Sequence, residues 1–128
     1  MFSPRILFLV YRTFFGNFLK FVTQLTGAKS VVEIGTSSGV GGLWVLQGLA
    51  SEGVLTTIDA EREHSKIART IFEEADIAVT KYRIITGNLI DVVGKLADDS
   101  YELLITRDAM DLFEIVSRKV PSVISKGF

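Results

Sequence analysis

The chain has 128 residues, enough for one domain with a buried core of its own. Its 14 basic and 15 acidic residues leave a net charge of -1 and no basic run, so a nucleic-acid backbone finds no electrostatic footprint. There is no cysteine, which excludes a disulfide framework and a thiolate zinc site and leaves the redox compartment unread.

At the amino terminus Ile6 to Val10 is continuously apolar, but Arg12 interrupts the run. A signal core takes about 7–15 apolar residues and a membrane span about 20, so neither fits. The spacing instead predicts a helix over about 5–26, with one stripe through Leu7, Tyr11, Phe14, Phe18, Phe21 and Leu25, widened by Phe8, Phe15 and Val22. So apolar a stripe needs cover from the rest of the domain or from a second subunit, with a membrane surface the less favoured choice. A homodimer through this helix is left open.

Val31 to Ile34 is a β-branched run that ends in a small-residue turn, Gly35 to Gly39, and passes into a predicted helix over Val40 to Ala50. Glu52-Gly53 turns the chain into a second buried strand, Val54 to Ile58, closed by Asp59. Glu61 to Asp76 reads as an amphipathic helix, with Ile67, Ala68, Ile71, Phe72 and Ala75 on one side and charged residues on the other. Tyr82 to Thr86 is a third strand, Gly87-Asn88 a turn, and Leu89, Val92, Val93 and Leu96 mark a short helix ending near Ala97. Tyr101 to Thr106 is a fourth strand, Met110 to Lys119 a weaker helix stopped by Pro121, and Val123-Ile124 a remnant of a fifth strand. With no repeat or linker to divide it, residues 1–128 read as a single domain. Alternating strands and helices with short connections imply right-handed crossovers and an α/β fold, a parallel sheet with helices on both faces.

In such a sheet the carboxyl end of the first strand is where a ligand meets backbone N–H groups, so the Gly35 turn is the candidate site. Its core, Glu33-x-Gly35-x-x-x-Gly39, lacks the GxGxxG spacing of a dinucleotide fingerprint, which disfavours an NAD-binding module. The pattern resembles the first motif of S-adenosylmethionine-dependent methyltransferases with the Rossmann-like fold. A wider stretch, Leu25-Thr-Gly-Ala-Lys-Ser-Val-Val-Glu-Ile-Gly through Leu55-Thr-Thr-Ile-Asp59 and Glu63-His64, is similar to the small, catechol O-methyltransferase-like family over roughly Gly16 to Ser117.

The resemblance implies a sheet in the order 3-2-1-4-5 followed by an antiparallel pair, for which no sequence remains, so the chain looks truncated at its carboxyl end. It implies S-adenosylmethionine as cofactor, methyl transfer to a hydroxyl of a small-molecule acceptor, and, by default, a cytoplasmic enzyme. The rival expectation is a reduced, inactive homologue that serves as a binding or oligomeric partner.

Within the site, Gly35 and Gly39 would let the backbone approach the methionine part of the donor, and Thr36, Ser37 and Ser38 would contribute hydrogen bonds. By resemblance Glu33 holds the donor's ammonium end, the alternative being a strand carboxylate satisfied by neighbouring donors. Asp59 stands about twenty residues after the glycine turn, where a carboxylate accepts ribose hydroxyls, the alternative being an N-cap for the next helix. Asn88 falls at a position that resembles an adenine contact, or is an ordinary turn residue. His64, the one histidine, reads as a surface or packing residue. No catalytic residue is assigned. Metal-dependent members follow the fourth strand with an Asp-Ala-Asp-like motif. Here, in Arg107-Asp108-Ala109-Met110-Asp111, Arg107 falls at the first ligand position when aligned ungapped from Tyr101, while a one-residue shift would bring Asp108 there. With one or two loop carboxylates no metal is expected.

Overall fold

A computed structural model describes residues 4–97, 100–106 and 123–125, with side-chain surroundings for 15–97 and 100–106. The elements run α1 (Pro4–Thr26), β1 (Ser30–Ile34), α2 (Val40–Gly48), β2 (Val54–Asp59), α3 (Arg62–Glu74), a 3-10 turn (Val79–Lys81), β3 (Tyr82–Thr86), α4 (Leu89–Lys95), β4 (Leu103–Thr106) and β5 (Val123–Ser125). Among the described residues the strands form one five-stranded sheet in the order β3-β2-β1-β4-β5. Every pairing is parallel, with Ile34 of β1 level with Ile58 of β2 and with Thr106 of β4. The strand order expected from the resemblance is the one observed.

Alternation along β1 divides the interior. Val31 points with Leu55, Leu103 and Ile105 into a core closed by Leu19 of α1, Val45 and Leu46 of α2, and Ala68 and Phe72 of α3. Val32 and Ile34 point the other way, with Ile58 and Leu104, against Val93 of α4 and Tyr101. Covering on both faces explains why these strands read as mostly apolar and β-branched without strict alternation.

Several boundaries move by a residue or two, and two of them bear on the packing. The fourth strand starts at Leu103, not Tyr101; the chain ahead of it is tied down by Glu102 N donating to Ser30 O at 2.8 Å and Lys29 N donating to the Glu102 carboxylate at 3.1 Å. The second helix stops at Gly48, and Leu49 is already extended. The α1–α2 contact is close enough that a Cβ on Gly48 would stand 2.6 Å from Lys20 O, and one on Gly16 would overlap the Trp44 indole.

That contact sets the rotation of α1 and corrects the expected stripe. Among the described side chains of α1, Leu19 and Thr23 are buried beside Gly16, with Phe15 packed against the core, while Phe18, Phe21 and Leu25 are exposed at 42%, 59% and 74%. Thr23 can be buried because its hydroxyl donates to Leu19 O, four residues back, at 2.7 Å. The side chains of Leu7, Tyr11 and Phe14, and the helix expected over Met110 to Lys119, lie outside the described residues.

Candidate functional site

The order of strands reverses between β1 and β4, so the crevice outside the carboxyl ends of β1, β2 and β4 is the switch point of the sheet. Three of the turn residues that open onto it have positive φ: Gly35 at 93°, Ser37 at 54° and Gly39 at 85°. The two glycines do different work. Nothing lies within 4 Å of a Cβ built on Gly35, so this is the side on which a ligand can reach the main chain. A Cβ on Gly39 would sit 2.7 Å from the Ala68 Cα, so the bare backbone there admits α3 rather than a ligand.

Beneath the turn runs a chain of buried polar groups. Thr57 donates its hydroxyl to Glu33 Oε1 at 2.7 Å, so the 2.8 Å contact between Thr36 and Thr57 has Thr36 as donor. Gly35 N and Thr36 N both donate to Ile58 O, at 2.7 and 3.3 Å. Glu33 is wholly buried; its oxygens lie 3.0 and 3.3 Å from the positions a Cβ would take on Gly41 and Gly42, under the first turn of α2. Negative charge at a helix amino terminus is favourable, so Glu33 anchors the turn to the helix that follows. The Thr57 hydroxyl thus satisfies Glu33 Oε1, as the alternative of a strand carboxylate met by a neighbouring donor requires. Thr36, 2% exposed, likewise faces inward; Ser37 and Ser38 are half-buried at the rim. Thr57 was not singled out in the sequence. Its signal is a Thr-Thr pair inside a run of Val, Leu and Ile.

At the end of β2, Asp59 accepts from three N–H groups: Glu61 N on Oδ1 at 2.8 Å, Ser37 N on Oδ2 at 2.9 Å and His64 Nδ1 on Oδ2 at 3.1 Å. Asp59 does not cap α3, whose N-cap is Glu61 with no side-chain cap hydrogen bond; its carboxylate instead ties the chain ahead of that helix to the glycine turn. Burial pushes its carboxyl up, but the Glu61 and Ser37 amides and the His64 ring outweigh that and hold it below the ordinary carboxylate value. His64 is thus not simply a surface residue. The main chain links the next strand to the same rim, since Gly87 N donates to Asp59 O at 3.0 Å. Asn88 follows, exposed, capping α4 by accepting from Asp91 N at 3.2 Å. That uses its carbonyl oxygen and leaves the amide N–H groups for another partner.

Among the described residues no group of three or more His, Asp or Glu side chains could hold a metal. Arg107, Asp108 and Asp111 lie outside them.

A parallel sheet with this strand order, a glycine turn at the switch point and a carboxylate at the end of the neighbouring strand define a Rossmann-like protein of the methyltransferase class. The family model described as O-methyltransferase matches residues 11–111, and the chain belongs to that family. A Mycobacterium sp. (strain KMS) relative, provisionally named an O-methyltransferase, is 46% identical over 113 residues, which cover 88% of this chain and 51% of the relative. The crystal structure of a Corynebacterium glutamicum protein is 31% identical with a TM-score of 0.73, covering 89% of this chain and 54% of that one. An O-methyltransferase from Bacillus cereus, solved in complex with SAH, matches at 24% identity and a TM-score of 0.74 over 94% of this chain and 53% of that one. The chain spans about half the length of the curated relatives it matches.

Proposed function

We propose that this chain forms the donor-binding part of an S-adenosylmethionine-dependent O-methyltransferase acting on a hydroxyl of a small molecule. The observation that carries the reading is the meeting of Gly35, open where its side chain would be, with an Asp59 carboxylate that Ser37 of the same turn holds at 2.9 Å. Gly35 to Ser38 would take the methionine part, Asp59 a ribose hydroxyl and the free amide of Asn88 an adenine edge. Glu33, Thr36 and Gly39 would shape the turn from beneath. When bound, the sulfonium donor supplies an electrophilic methyl carbon; the chain's own work is to hold it in line with the acceptor. Family membership supports the transfer to oxygen, and the net charge of -1 supports a small-molecule acceptor over nucleic acid. The cofactor supports a cytoplasmic setting. The exposed Phe18, Phe21 and Leu25 support a homodimer through α1.

Calorimetric titration with S-adenosylhomocysteine tests the donor site without needing an acceptor. Micromolar binding, with no heat from NAD, is expected. A folded sample that takes neither would overturn the reading and favour an inactive homologue.

A further inference from the structure

A carboxylate offers about four lone-pair directions, and how many are occupied decides how sharply it is aimed. Asp59 has three of them filled, by Glu61 N, Ser37 N and His64 Nδ1, so the direction left over belongs to Oδ1. Two of these donors are main-chain amides, fixed by the first turn of α3 and by the glycine turn. The third is a side chain, set in that first turn and 43% exposed, while the Asp59 side chain is only 11% exposed. Because Asp59 can only accept, Nδ1 of His64 carries the proton in this contact. Without it, each oxygen keeps one amide partner, and the carboxylate rocks more widely about its terminal torsion, which is broad.

We propose that His64 is a positioning residue of the donor site, acting through Asp59: its Nδ1–H completes a three-donor clamp that leaves one Oδ1 lone pair aimed at a donor ribose hydroxyl. The inference rests on the donor-site reading above. A residue in this role need not touch the ligand. It raises affinity by removing the freedom that Asp59 would otherwise lose on binding.

The test is calorimetry with S-adenosylhomocysteine on His64→Leu, His64→Asn and His64→Gln, and on His64→Leu in an Asp59→Ala background. Asparagine places an N–H two bonds from Cβ, where Nδ1 stands; glutamine places it one bond further; leucine has none. His64→Leu should weaken binding about three- to tenfold, the cost of immobilising one side chain on binding, and His64→Asn should recover most of it. In the Asp59→Ala background His64→Leu should cost nothing further, because the residue it acts through is gone. Unchanged or tighter binding by the leucine variant, or an equal loss with and without Asp59, would overturn the proposal. If the leucine variant fails to fold, the Asn and Gln variants decide: better binding by Asn supports the clamp, and equal binding overturns it. Wild-type chain that takes no S-adenosylhomocysteine would sink the donor site and this inference together; normal wild-type binding with indifferent His64 variants would sink this inference alone.

Discussion

Desolvation alone would raise the Asp59 carboxyl, and the three N–H groups around it lower it instead, so the folded chain prefers Asp59 charged. The sign of the linkage follows. A carboxyl depressed in the folded state contributes stability that is fully present above its unfolded pKa and is lost as pH falls through the folded value. The gap in unfolding free energy between wild type and Asp59→Asn should therefore narrow on acidification below the ordinary carboxylate range. Urea melts across that window check it, and a gap that is flat or widens would mean the clamp does not favour the anion. Asp59 was legible in the sequence from its place at the end of an apolar run. Its partners were not, because Ser37 and His64 meet it only once β1 and β2 pair and α3 begins.

Among the elements, β1 and β2 could be read from their β-branched content without strict alternation, as strands covered on both faces allow. The rotation of α1 could not. Phe15, Leu19 and Val22 and the set Phe18, Phe21 and Leu25 are both apolar faces, and periodicity alone does not say which one meets the sheet. That choice is made by Gly16 and Gly48, whose missing side chains let α1 and α2 close on one another with Leu19 inward. The face turned outward then presents two Phe rings and a leucine, an arrangement that favours burial against another surface. If that surface is a second copy, Phe18→Asp with Phe21→Asp should convert an oligomer to monomer in light scattering while leaving the fold intact, because neither ring is in the core. An oligomer that survives both changes would place the contact elsewhere.

Across the whole molecule, the candidate site is made of pieces far apart in sequence and adjacent only through the sheet: the turn after β1, Asp59 after β2 and Asn88 after β3. Opening any one strand would dissolve it, so ligand binding and global stability should be coupled. A ligand that binds only the folded chain adds about 2.7 kcal/mol at one hundred times its Kd. Amides in β1 and β2, which have a paired strand on each side, should exchange only by global unfolding. S-adenosylhomocysteine at that concentration should then slow their hydrogen exchange about a hundredfold. Residues of α4, seven in number and packed through Val93, should exchange by local opening and slow far less. If β1 and β2 exchange at the same rate with and without bound ligand, the sheet opens in parts, and residues 1–128 are not one cooperative domain.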